Sequence, residues 1–197
     1  MEYDVVIVGA GPAGLTTAIK LKQLDPNLNV CILEKGSEVG AHILSGNVFE
    51  TKALDELFPN WKNEGAPVKT KVSKEKFLFL GKNSSLSWPT WLLPAVQKNH
   101  KNYIVSLANL CRWLAEQAEK LGVEIFPGFP ASEVLYNEDG SIKGVATLDM
   151  GLDKEGNKKD TYQEGMELHA KVTVFSEGCR GHLGKQLIKK FNLDDGK

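Results

Sequence analysis

Residues 4–24 read DVVIVGAGPAGLTTAIKLKQL, and few stretches restrict a fold as tightly. A run of Val and Ile with almost no polar interruption predicts a short central strand buried on both faces. Gly9, Gly11 and Gly14 follow at once in G-x-G-x-x-G spacing. The next residues carry a helical stripe, Ala13, Ala18 and Leu21 beside Leu15 and Ile19, which ends at Asp25-Pro26 because proline stops a helix. A second strand is expected from Asn29 to Glu34. In this order each glycine has a job. The first permits a tight turn, the second lets backbone approach a pyrophosphate, and the third lets helix pack close to strand. An anion then sits at the helix N-terminus, where N–H groups and the helix dipole favour it. Glu34 stands twenty residues after Gly14 at the end of the second strand, where an acid can hold ribose hydroxyls. An acid there favours NAD or FAD over NADP.

The following residues narrow that choice. In EKGSEVGAHILSG a further pair of glycines, Gly40 and Gly46, comes directly after the acid, where a plain NAD-binding domain would enter its next helix. In disulfide-reductase-like and hydroxylase-like flavoproteins this segment runs back along the cofactor. Gly40, Ala41, Ser45 and Gly46 would allow close backbone approach there. His42 is open to either a flavin contact or a structural role. Far downstream, HAKVTVFSEGCRGHLGKQLIKKF predicts a buried strand over Lys171–Phe175, a turn, and a helix with Leu183, Leu187, Ile188 and Phe191 on one face. Glu177-Gly178 then occupies the place of an acid–glycine pair that approaches the pyrophosphate and ribityl region. The alternative is a solvated turn carboxylate. Cys179 beside it reads as a small buried residue in a tight turn or, less simply, a redox-active one.

Between these ends, Thr51–Phe58 predicts a short helix and 59–77 a polar loop. Phe77–Pro94 places Trp88, Trp91, Leu92 and Leu93 among prolines, which predicts irregular or edge backbone. Such a cluster marks either a surface that enters a membrane interface or a loop packed elsewhere, including a pocket floor. An amphipathic helix follows, with Leu107, Leu110, Leu114, Ala118 and Leu121 on one face and Gly122 at its C-cap. Then come a strand at VEIF, a hairpin turning at Asp139-Gly140, and a third antiparallel strand over Thr161–Ala170. The fold class that results is α/β, a Rossmann-like FAD/NAD(P)-binding fold of the hydroxylase or glutathione-reductase type. It has a parallel sheet with a small antiparallel β-meander, and the ending at FNLDDGK suggests truncation at the C-terminus.

Composition closes off other classes. A net charge of −1 gives no support for nucleic acid as a partner. Cys31, Cys111 and Cys179 are scattered with no C-x-x-C, so no metal or iron–sulfur ligand set is expected. Their odd number, with a strand starting near Met1, suggests reduced thiols and no targeting peptide. No apolar run approaches the ~20 residues that span a bilayer. No Ser-His-Asp or Cys-His arrangement is visible, and no catalytic side chain is named.

Taken together, DVVIVGAGPAGL, EKGSEVGAHILSG, ELFPNWKNEGAPV, NYIVSL, GVEIFPGFPASEVLYNEDGSIKGVAT and ELHAKVTVFSEGCRGHLGKQL resemble the N-terminal part of the electron transfer flavoprotein–ubiquinone oxidoreductase family. GAHILSG and FSEGCRGHL are the specific elements of that resemblance. It implies an FAD enzyme that takes electrons from reduced electron transfer flavoprotein and passes them to ubiquinone. Its implied seat is peripheral, on the cytoplasmic face of a bacterial inner membrane or on the mitochondrial inner membrane. It implies FAD contacts at Gly9, Ala10, Gly11, Pro12, Ala13, Gly14, Glu34, Lys35, Gly40, Ala41, His42, Ser45, Gly46, Val134, Glu177 and Gly178. It also moves the reading of Phe77–Pro94 toward the membrane. The family carries a [4Fe–4S] cluster whose cysteines have no counterpart here. The implied organisation is one FAD-binding domain over 1–197 with 60–101 as an inserted segment, and with the quinone and cluster domains largely absent. The rival readings are a geranylgeranyl-reductase-like or hydroxylase-like flavoenzyme, and a non-catalytic nucleotide-binding fragment.

Overall fold

A computed structural model describes residues 1–153, 155 and 157–195. In chain order the elements are β1 (Glu2–Val8), α1 (Pro12–Leu24), β2 (Val30–Glu34), β3 (Ser45–Phe49), α2 (Lys52–Leu57), β4 (Thr70–Lys71), β5 (Phe77–Leu80), β6 (Ser85–Trp88) and β7 (Tyr103–Ser106). They continue with α3 (Leu107–Lys120), β8 (Glu124–Pro127), β9 (Ala131–Tyr136), β10 (Ile142–Thr147), β11 (Met150–Leu152), β12 (Lys158–Gln163), β13 (Glu167–Phe175) and α4 (His182–Lys190). Two compact units divide them: Met1–Ile43 with Cys111–Lys197, and Leu44–Leu110.

The first unit is built on a six-stranded sheet in the order β8-β2-β1-β13-β10-β9. Its first four strands are parallel, and β10 and β9 add an antiparallel extension. Strand β1 sits mid-sheet, which is why its apolar run is unbroken: Val6 and Ile7 on opposite faces are both fully buried. Val6 and Val8 join Cys31, Leu33, Val145 and Leu168 in a core closed by Leu183 and Leu187 of α4. On the other face α1 lies close enough that a Cβ on Gly14 would meet the Ile7 side chain at 3.2 Å.

Strand β13 corrects one expectation. Thr161–Ala170 is not a single antiparallel strand. It breaks at Glu164–Met166, so that its first half pairs with β11 in a separate ribbon. Its second half begins β13, where residues 167–169 pair antiparallel with β10 while residues 169–175 pair parallel with β1. The C-terminal half of β13 is also less buried than its sequence predicts, with Lys171 and Val172 both exposed.

In the second unit β3, β7 and β4 form an antiparallel sheet. The polar-looking loop after α2 carries its anchor. Trp61 is only 2% exposed, stacks edge-on against Tyr103 at 5.9 Å, and donates from Nε1 to Asp55 at 2.6 Å. That bond, with one from Thr51, holds the Asp55 carboxyl below its usual range. The segment expected to be irregular contains a regular hairpin, β5–β6, because Pro89 and Pro94 fall after β6 rather than within it. No helix among the described residues is long and apolar enough to cross a membrane.

Candidate functional site: a dinucleotide cradle

Strand β1 ends at Val8 and α1 begins at Pro12, so the chain must reverse within three residues. Gly9 makes that turn at φ +104°, and a Cβ there would lie 2.6 Å from the Ser176 carbonyl oxygen. Gly14 lies against the same turn, and any Cβ on it would overlap the Gly9 carbonyl. Gly11 is different. A Cβ added to it meets nothing within 4 Å. It is also the N-cap of α1, with no side-chain cap and no acid in the first turn. Among the described residues the first turn of this helix carries no side-chain cap and no acid of its own, and it lies beside open space. Such a place suits a pyrophosphate.

Glu34 closes the cradle from β2. Its Oε2 accepts from Ala10 N–H at 2.9 Å and its Oε1 from Gly36 N–H at 2.7 Å. The carboxylate thus ties the first glycine turn to the loop after β2, while each oxygen keeps a lone pair for a ribose hydroxyl. That loop is fixed further by Gly128 N–H to Gly36 O at 2.7 Å and by an Arg112–Glu38 ion pair at 2.9 Å. Within it Lys35, Ala41 and His42 are exposed and Gly40 is buried.

The remaining candidates are distributed unevenly. Ser45 and Gly46 lie on β3 in the second unit. The Val134 side chain is buried in the core with Leu33 and Leu168, away from solvent. Glu177 follows β13, but its carboxylate is already engaged. Oε1 accepts from the N–H groups of His182 and Leu183 at 3.0 and 3.1 Å, and Oε2 from that of Gly184 at 2.7 Å. It is the N-terminal cap of α4, supplied from five residues upstream. Gly178 sits at φ +75°, and a Cβ added to it would meet nothing within 4 Å, which leaves room beside that turn. Cys179 is exposed rather than buried in the turn. Cys31 and Cys111 are buried, and burial pushes both thiols up to about 12. Among the described residues no group of three or more His, Cys, Asp or Glu side chains could hold a metal ion, so these residues do not fit an iron–sulfur cluster.

A residue that sequence reasoning missed supports the cradle from behind. Lys22 of α1 is buried, and its ammonium donates to the carbonyls of Pro26 at 2.6 Å and Leu28 at 3.0 Å. It fixes the turn that delivers β2, and with it Glu34. One face-wise signal existed, since Lys22 falls on the buried stripe with Leu15, Ala18 and Ile19.

The Thi4 family model matches residues 1–56, the segment that carries the cradle. A probable electron transfer flavoprotein-ubiquinone oxidoreductase of Acinetobacter baylyi is 57% identical over 98% of this chain, and its Pseudomonas aeruginosa counterpart is 58% identical over 98%. The chain is homologous to the electron transfer flavoprotein-ubiquinone oxidoreductases along nearly its whole length. Identity to the mitochondrial oxidoreductase of Mus musculus is 54%, again over 98% of the chain. The chain spans about a third of the length of these oxidoreductases: 35%, 36% and 32% respectively. Among solved structures, a flavin-dependent brominase matches with a TM-score of 0.61 at 17% identity, covering 97% of this chain and 41% of that one. A geranylgeranyl bacteriochlorophyll reductase-like protein of Thermoplasma acidophilum matches at 0.59 and 21%, covering 88% and 38%. At these identities the structures share the α/β fold alone.

Proposed function

We propose that this chain is the N-terminal FAD-binding portion of an oxidoreductase that passes electrons from reduced electron transfer flavoprotein to ubiquinone in a membrane. The observation that carries the proposal is the first turn of α1, left uncapped beside the open space at Gly11. The identity of 57–58% to the two bacterial oxidoreductases supports this parent activity over that of a reductase or hydroxylase sharing only the fold. In this reading the FAD pyrophosphate lies on Gly11, Pro12 and Ala13, and Glu34 holds the adenosine ribose. Lys35, Gly40, Ala41 and His42 line the cofactor further on, and Ser45 and Gly46 are candidates by the sequence resemblance alone. Val134 contributes main chain only, because its side chain is in the core. Gly178 offers close backbone approach, while Glu177 acts by fixing the α4 turn. Bound FAD would supply the electron-transfer chemistry, and the residues named here bind it, orient it and shield it. The [4Fe–4S] cluster of the parent would be held outside this chain.

The segment Phe77–Pro94 is the proposed membrane-facing surface, seating the parent peripherally on the bacterial inner membrane's cytoplasmic face or on the mitochondrial inner membrane. Cross-strand register puts Phe77, Phe79, Leu86 and Trp88 on one face of the β5–β6 ribbon. Beyond the ribbon Trp91 is 75% and Val96 92% exposed. An aromatic and aliphatic ribbon open to solvent suits the headgroup–acyl boundary.

The test is to purify the chain, add FAD, and remove unbound cofactor by gel filtration. Retained flavin absorbance supports the reading, and its reduction by reduced electron transfer flavoprotein with reoxidation by a quinone analogue would extend it to the parent activity. A folded chain that retains no flavin would reduce it to a nucleotide-binding-type fold without the cofactor function.

A further inference from the structure

The apolar ribbon sits within the most unbalanced charge in the sequence. Residues 69–101 contain seven lysines, no arginine and a single acid, Glu75, in a chain whose net charge is −1. That one acid is turned inward. Its Oε2 accepts from the backbone N–H of Asn99 at 2.9 Å and from the Asn99 side-chain amide at 3.2 Å. No lysine of the segment makes an ion pair with a carboxylate among the described residues. Lys74 and Lys76 immediately precede β5, and Lys82 stands in the turn closed by Gly81 N–H to Ser84 O at 2.8 Å. Lys98 donates to the Trp91 carbonyl at 3.1 Å, and Lys101 follows at the segment's end. Lysines thus bracket the apolar side chains at both ends and at the hairpin turn.

We infer that this surface docks on an anionic phospholipid bilayer, with the lysine rim reading acidic headgroups while the ribbon enters the interface. The inference rests on the membrane-facing reading above and adds the lipid class. A lysine at the hairpin turn opposes tip-first burial, so the ribbon lies in the interfacial plane with the Phe79 and Trp88 face down. Lysine stems lie along apolar surface while their ammonium groups reach the headgroups. Several such charges within a screening length of an anionic leaflet add to one another. The absence of arginine fits diffuse headgroup charge, because a discrete phosphate is usually held by planar forks.

The experiment is sedimentation of the 197-residue chain with vesicles of phosphatidylcholine alone and of phosphatidylcholine containing phosphatidylglycerol, at low and high salt. The variants are a Lys74→Gln, Lys76→Gln, Lys82→Gln, Lys101→Gln quadruple and a Phe79→Ser, Leu86→Ser double on the downward face, each checked for folding by circular dichroism. Binding to the anionic vesicles is expected to be tighter by tenfold or more, and high salt or the lysine quadruple should erase that preference. The apolar double should weaken binding to both vesicles. Equal binding to both compositions by the unaltered chain overturns the lipid class and leaves the membrane reading standing. An anionic preference untouched by the lysine quadruple overturns the assignment to this rim. No binding to either vesicle overturns the inference and the membrane reading together.

Discussion

Helices α1 and α4 are both delivered by a strand and a glycine-containing turn, on parallel strands β1 and β13 that pair with each other. Their first turns are treated in opposite ways. At α4 the chain supplies its own anion, and three N–H groups converge on the Glu177 carboxylate. At α1 the first turn has no side-chain cap and no acid of its own among the described residues, and the N-cap is a glycine beside open space. Both helices need negative charge at the same end. A helix end met internally is closed to an outside anion, while one left open beside free space can accept one. The same local pattern in sequence therefore encodes an open helix end, the proposed binding site, once and a structural cap once.

The largest effects should come from the turn geometry. Gly14→Ala would force a Cβ into the Gly9 carbonyl, and it should cost about 3 kcal/mol or more, seen as a large loss in thermal or urea stability. Next, Gly11→Asp would make α1 resemble α4. It should raise stability slightly, by about 0.5–1 kcal/mol, because an acid now caps the helix. It should also weaken ADP or FAD binding by roughly a hundredfold, through charge repulsion and lost space. Glu177→Gln should do the reverse. Replacing one acceptor oxygen by an amide should cost about 1–2 kcal/mol of stability, while ADP affinity stays within about twofold. A variant that loses nucleotide affinity but keeps its stability would place Glu177 on the ligand and break the contrast. The smallest effect concerns the thiols. Alkylation at pH 8 should label exposed Cys179 and spare Cys31 and Cys111, whose buried thiols stay protonated up to about 12. Mass spectrometry of the labelled chain would show it, and labelling should leave ADP affinity unchanged.

What could be read from sequence was what local patterns determine. The order β1, glycine turn, α1, β2 and Glu34 is written in residues 4–34, because a buried strand, a steric turn and a helix stop each have a local cause. The Asp139-Gly140 hairpin was legible for the same reason. Other features depend on partners distant in the chain. Glu177 reads as a cofactor contact or a solvated turn carboxylate, and its capping role shows only once α4 is in place to present its N–H groups. Trp61 hides in a polar stretch, since its burial depends on Tyr103, forty-two residues away. The β5–β6 hairpin was masked by prolines that lie just outside it. Leu121 carries the right periodicity for the buried face of α3 yet is exposed, because the helix ends one residue before it.

The most direct test is calorimetric titration of ADP into the folded chain and into its Gly11→Asp variant. Saturable one-to-one binding by the unaltered chain, lost in a variant that melts no lower, is the result predicted for a ligand site at the uncapped end of α1. No ADP binding by a folded chain, or binding that Gly11→Asp leaves unchanged, would contradict it.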